Sequence, residues 1–410
     1  MLKNWFKNIG PGPLIAAAFI GPGTVTVCTL AGVGFGYTLL WAMVLSIVAT
    51  IVLQEMSARL GIVTQKGVSE IIRTEIKHPV LKFLAILLML LAIVIGNAAY
   101  EAGNITGGVL GLETIIGNPS IEIGDFSLNI LSVIIGCVAF VLLYLGNYKI
   151  LEKSLVALVV LMSLAFLVTA IITKPSISSV LKGVLVLEFP KESILTVIAL
   201  IGTTVVPYNL FLHAALVKEK WNRKSDLKFA KKDTIIAVVL GGVVSMCIII
   251  SAASIQTENI TNASDLAKGL EPLFGSFAKY FLAIGLFAAG ITSAITAPLA
   301  AAYVAMGCLG WSTSMKTRKF RAVWMFILVL GVLFSSLGIK PIDIIKFAQV
   351  ANGILLPVIA GVLIWIMNKD SILGKYKNTI KQNILGFLIL GISILLSLAT
   401  LNKVFSLNLF

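Results

Sequence analysis

The sequence predicts an all-α polytopic membrane protein with eleven transmembrane helices. Apolar residues fill 58% of its 410 positions and charged ones only 12%, at a mean hydropathy of +1.02. Average proteins carry about 25% charge. The apolar residues gather into runs long enough to cross a hydrocarbon core, and the basic residues between the runs favour one side.

A crossing helix needs about 20 apolar residues. Eleven segments qualify: 13–33, 37–58, 80–105, 128–147, 154–173, 194–217, 234–254, 275–309, 321–338, 343–367 and 384–402. The eighth is long enough to tilt or to extend beyond the bilayer. The whole chain, 1–410, then forms one transmembrane domain without a soluble one. Residues 1–173 hold a first group of five helices, 194–367 a second, and 384–402 the eleventh helix.

With the N-terminus placed in the cytoplasm, 24 of the 32 lysines and arginines lie inside and 8 outside. That bias sets orientation, so the net charge of +14 faces anionic lipid and calls for no nucleic-acid partner. Eleven crossings leave the C-terminus outside, and a multi-pass protein of the plasma membrane is expected. The opening MLKNWFKN leads into an apolar run without a small-residue processing site, so no cleavable signal is expected. Cys28, Cys137, Cys247 and Cys308 all fall in apolar segments without CxxC or Cys/His spacing. They read as packing residues, not as metal ligands or disulfides.

Two of the eleven segments are interrupted. The first carries Gly21-Pro22-Gly23 followed by Thr24, Thr26 and Thr29. Proline removes a backbone N–H and clashes with the preceding turn, while glycine removes side-chain restraint. Alone, this could be an ordinary proline kink, which membrane helices tolerate. The sixth segment, IGTTVVPYNLFLHAAL, repeats the pattern with Thr203, Thr204, Pro207, Tyr208, Asn209 and His213 around the interruption. Segments 1 and 6 are corresponding members of the two five-helix groups. Equivalent interruptions in two halves point to an inverted-repeat transporter, with substrate and coupling ion held at the midplane by unwound backbone.

With both interruptions in view, the chain resembles the NRAMP family of LeuT-type secondary transporters. Its second segment contains Gln54, Ala58, Arg59, Leu60, Gly61, Val63 and Thr64, similar to the family's Gln-x-x-Ala-Arg-Leu-Gly-Val-Val-Thr. LGNYKILEK, VVPYNLFLHAALV, AAGITSAITAPLAA (Ala288 to Ala301) and AQVANGILLP (Ala348 to Pro357) also match, in the family's order. The resemblance implies a LeuT-type 5+5 inverted repeat with helices 1 and 6 broken.

The departures bear on cargo. Members that carry manganese and iron have Asp-Pro-Gly-Asn in the first helix, where this chain has Gly21-Pro22-Gly23-Thr24. The positions aligned with their backbone carbonyl and methionine ligands in helix 6 are Thr203 and Val206. Their first helix-6 histidine is Tyr208 here, and the second matches His213. The acidic residues of their third helix align with Leu90 and Ile93. A bare dication among neutral hydroxyls and carbonyls would lack a countercharge. Unwound backbone at a half-helix N-terminus instead suits an anion such as a carboxylate.

The expected substrate site is therefore Gly21, Pro22, Gly23, Thr24, Thr203, Val206, Tyr208 and Asn209, joined by Gln349 and Asn352 from the matching tenth segment. The positions aligned with family metal ligands are Gly21, Thr24, Thr203 and Val206. Glu101, in the polar run Asn97 to Gly108, is a candidate proton carrier or else a residue at the outer headgroup boundary. Glu55 either supplies a countercharge or pairs with Arg59. His213 either relays protons or packs. Thr292 and Ser293 resemble the sodium-site hydroxyls of LeuT-type carriers.

Two functions follow. The first is alternating-access transport of a small organic solute, carboxylate-bearing or amino-acid-like, coupled to H⁺ or Na⁺. The alternative is transport of a divalent cation, Mg²⁺ or Mn²⁺-like and partly hydrated. An enzyme is not expected: there are two histidines, His78 and His213, no HExxH and no GxSxG. No P-loop and no cofactor motif is present; lipid and the transported solute are the only partners implied.

Overall fold

A computed structural model describes residues 20–123, 126–146, 149–255 and 260–405. Residues 13–19 of the first expected segment, and Asn147 and Tyr148 of the LGNYKILEK motif, lie outside the described residues.

The helices that matter are α1 (Pro22–Phe35), α2 (Leu40–Thr64), α3 (Val68–Glu75), α4 (Pro79–Ile116), α5 (Ile130–Leu145) and α6 (Lys149–Ile172). They continue as α7 (Ile177–Leu185), α8 (Ile194–Thr204), α9 (Pro207–Lys220) and α10 (Leu227–Ala252). The remainder are α11 (Ala278–Leu309), α12 (Arg318–Ser335), α13 (Pro341–Met367) and α14 (Ile380–Phe405). Among the described residues, eight helical runs are long and apolar enough to cross a membrane, the interrupted α8–α9 run counting as one. The other three expected crossings hold the shorter apolar α1 and α5 and α12, which opens on Arg318, Lys319 and Arg321.

Two details differ from the sequence reading. A two-stranded antiparallel hairpin, β1 (Ser120–Ile123) and β2 (Phe126–Asn129), precedes α5, a small addition to an all-α membrane fold. Its last residue, Asn129, caps α5 by accepting from the Leu131 N–H at 2.9 Å, which satisfies a donor the first helical turn leaves open. The third crossing also runs on to Ile116 and reaches 38 residues, about 57 Å at helical rise. Nothing in 106–116 breaks a helix, and its capping glycine is Gly117, at φ 87°.

α4 is the central post. It packs along most of α11 and also against α12 and α13. A Cβ on Gly290 of α11 would stand 2.7 Å from the Gly108 Cα of α4, so these backbones touch only because both residues lack side chains. Outward faces carry exposed Leu, Ile, Val and Phe throughout, as a bilayer solvent requires.

Candidate functional site

The second interruption lies where the sequence places it, one residue earlier. α8 ends at Thr204; Val205 (φ −91°, ψ 68°) and Val206 (φ −75°, ψ 117°) are non-helical, and α9 begins with Pro207 at its first position. Tyr208, expected in the unwound stretch, is already in α9. Proline favours this: its missing N–H is unneeded in the first turn and its φ is pre-set for helix. At the first interruption too, proline and the residues after it are helical. Gly21 is extended (φ −84°, ψ 176°), and Pro22, Gly23 and Thr24 form the opening turn of α1.

The two breaks meet through hydroxyls. Thr24 Oγ1 and Thr203 Oγ1 lie 2.8 Å apart, both buried. Thr203 belongs to the last turn of α8, where carbonyls lack helical donors and the dipole presents its negative end. Val206 is buried and apolar. The nearest sulfur to this end of α8 is on Met43, which accepts from the Thr204 hydroxyl at 3.5 Å.

α13 closes the site from a third side. A Cβ on Gly23 would overlap the side-chain amide of Gln349, and one on Gly202 would overlap the Gln349 carbonyl oxygen. One residue of α13 thus touches both broken helices. Gln349 Oε1, Asn352 Nδ2 and both amide atoms of Asn209 are buried without hydrogen-bond partners. Buried polar atoms are normally satisfied, so these four atoms are exceptions in an apolar interior. Tyr100, inside the polar run Asn97 to Gly108, brings its ring edge-on to that of Tyr208 at 5.2 Å.

The coupling candidates separate from this cluster. Glu101 is fully buried, and α4 continues for four more turns beyond it. It faces α12, where a Cβ on Gly331 would overlap its Cγ. One carboxylate oxygen accepts from Asn104 Nδ2 at 3.4 Å and Oε1 has no partner. His213 lies on the α2–α9 seam with Nδ1 2.6 Å from Gln54 Oε1, and its Nε2 is unpartnered. Gln54 stood in the quoted motif without a role. The Thr292 hydroxyl donates to carbonyls of its own helix, Ala288 and Ala289, while Ser293 Oγ is buried and unpartnered. Glu55 pairs with Arg59 at 3.1 Å and offers no charge to the site.

Residues 12–403 match the Nramp family, described as natural resistance-associated macrophage protein-like. The chain belongs to that family. It is 27% identical over 408 residues to the divalent metal cation transporter MntH of Bacillus subtilis, covering 96% of this chain and 92% of that protein. Its fold superposes on the manganese transporter of Eremococcus coleocola with a TM-score of 0.75 at 22% identity, covering 97% and 87% of the two chains. MhsT in complex with L-phenylalanine gives 0.59 at 15% identity, covering 94% and 98%. The fold is LeuT-type, and this NRAMP protein is a multi-pass membrane transporter, not an enzyme.

Within the NRAMP fold, the side chains this chain brings to the breaks, Thr24, Thr203 and Gln349, are neutral. Among the described residues no group of three or more His, Cys, Asp or Glu side chains could hold a metal. What converges on the breaks is hydroxyl, amide and helix-end carbonyl oxygen.

Proposed function

We propose that this NRAMP-family transporter carries a divalent cation by alternating access, and that the ion keeps part of its water shell. The observation that carries the reading is the Thr24–Thr203 contact at the C-terminal end of α8. It sets neutral oxygens beside carbonyls that bear the negative end of a helix dipole. A bare dication there would lack a countercharge. A hydrated one needs only acceptors for its water hydrogens, which Thr24, Thr203, Asn209, Gln349 and Asn352 supply. Mg²⁺ fits best because it dehydrates reluctantly and prefers oxygen; no thioether in the cluster favours softer ions. The relatives named as divalent metal cation transporters support cation over organic solute, and the carboxylate expectation from sequence finds no support among them.

In this reading Gly21, Pro22 and Gly23 shape the mouth of α1, while Val206 and Tyr208 wall the cavity. Glu101, His213, Thr292 and Ser293 are the candidates for the driving ion. Residues 1–173 and 194–367 form the two halves that move against each other around the site in the plasma membrane. The basic-rich end, with the N-terminus, lies in the cytoplasm and the C-terminus outside.

Uptake into proteoliposomes tests this. Saturable Mg²⁺ or Mn²⁺ entry, reported by an internal dye and lost in Thr24→Val, is expected. No divalent flux, together with thermal stabilisation by a carboxylate or amino-acid panel, would return the site to an organic cargo.

A further inference from the structure

The helix between the fifth and sixth crossings has no part in the transport site, yet its sequence and exposure are distinctive. α7 spans Ile177–Leu185 and is capped by Ser176, whose hydroxyl accepts from the Ser179 N–H. Its side chains sort onto three faces. Val180, Gly183 and Val184 face the protein: a Cβ on Gly183 would overlap the Tyr37 carbonyl, and both valines pack on the core. Ser178, Ser179 and Lys182 form an exposed polar face. Ile177, Leu181 and Leu185, four residues apart on one stripe, are 76%, 53% and 72% exposed. Leu187 and Phe189 extend the stripe beyond the helix and are also exposed.

Three observations fix what covers that stripe. Only residues 173–176 separate α7 from the membrane-spanning α6, so the helix starts within about 18 Å of the end of α6. The last residues of α6, Ile171 and Ile172, are themselves exposed apolar groups, so the stripe continues the lipid-facing belt. Lys174, Lys182 and Lys191 flank it at the level where cations meet headgroups. Trp41, a residue type enriched at membrane interfaces, secures the far end. Its Nε1 donates to the Glu188 carbonyl at 3.0 Å, and its ring meets Phe189 edge-on at 4.8 Å.

We infer that α7 is an interfacial helix that lies in the membrane plane, with Ile177, Leu181 and Leu185 inserted among lipid acyl chains. It rests on the α1–α2 connection through Tyr37 and leads, within nine residues, into α8. The lipid surface thereby holds the far end of α1 and the start of α8, the two helices whose broken ends form the site.

Spin labels at single cysteines in cysteine-substituted protein, reconstituted in lipid vesicles, measure this. Labels at 177, 181 and 185 should be accessible to oxygen and several-fold less accessible to a water-soluble nickel chelate, with the reverse at 178 and 182. High chelate accessibility at 181 would place the stripe in water. Exclusion of both reagents would mean that a second copy or another protein covers it. Either result overturns the inference. In the unaltered chain, a phospholipid with a photoactivatable acyl chain should label the 177–189 peptide as it labels the end of α6. Labelling of α6 alone would overturn it too.

Discussion

Two polar regions buried in the same apolar bundle are built in opposite ways. At the basic-rich end of α2, Arg59 donates to Glu55 Oε2 at 3.1 Å and Asn378 Oδ1 at 2.8 Å. It also reaches the carbonyls of Tyr376 and Lys377 and the Gln382 side chain, at 3.0, 3.3 and 3.3 Å. A single cation thus ties α2 to the approach of α14, with its charge neutralised and both terminal nitrogens engaged. At the helix breaks there is no charge, and amides of Asn209, Gln349 and Asn352 keep unpartnered atoms. Around Arg59 the charge is paired and only Nε lacks a partner; around the breaks four amide atoms on three residues lack one. The difference separates structural polarity from functional polarity in a chain where both are scarce.

The largest effect should come from breaking the charged region. Arg59→Met leaves Glu55 and a ring of acceptors without their donor, a loss of about 3 kcal/mol for a buried pair. It should lower the Tm of the purified protein more than any substitution at the breaks. Glu55→Gln, which keeps a hydrogen-bonding side chain beside Arg59, should cost less. A Tm unchanged in Arg59→Met would erase the distinction between the two regions.

Gly23→Ala attacks the other region by steric means. The new methyl meets the Gln349 amide, and overpacking of this kind costs about 1–3 kcal/mol. Adding Gln349→Ala should recover most of the lost Tm, because the obstructing amide is then gone. No recovery in the double variant would show that Gly23 answers to some other neighbour.

The fold was legible because a bilayer leaves few options: apolar runs of crossing length and sorted charges dictate the helices. The site was legible where proline and glycine punctuate, since Pro207 starts α9 whatever surrounds it. The extent of unwinding was not. Pro22 and Pro207 serve as first residues of helices, so both prolines leave the unwound stretch, which at the second break is Val205–Val206. Glu101 could not be placed from sequence because a helix of 38 residues has no internal mark of membrane depth, and its neighbour Gly331 is 230 positions away. The Gln349 contact with both breaks depends on the approach of three helices, which periodicity does not encode. The organic-solute expectation, which the relatives do not support, leaned on side-chain identity alone: losing a carboxylate removes one way of binding a cation, while helix-end carbonyls leave no trace in side-chain identity.

The hydroxyl contact between the breaks should be weaker than either effect above. Thr24→Ala, Thr203→Ala and the double variant close a thermodynamic cycle whose coupling should be about 1 kcal/mol. Zero coupling in Tm, with transport intact, would mean that the 2.8 Å contact holds nothing together.

Glu101 belongs to neither region, a carboxyl buried like Arg59 but lacking its ring of partners. Among the described residues it enters no ion pair; Asn104 is its hydrogen-bond donor, and Gly331 gives it room against α12. Glu101→Gln preserves shape and the capacity to accept from Asn104, so Tm should barely move. If the carboxyl loads and releases the coupling proton, wild-type uptake rises as the side from which cargo enters is acidified, and Glu101→Gln flattens that profile. Fixed uptake at all pH values in the variant, at a level near the wild-type plateau, would mark Glu101 as the seat of coupling. A variant profile superimposable on wild type would instead assign Glu101 to packing. The proton route would then have to be sought at the His213–Gln54 contact on the α2–α9 seam.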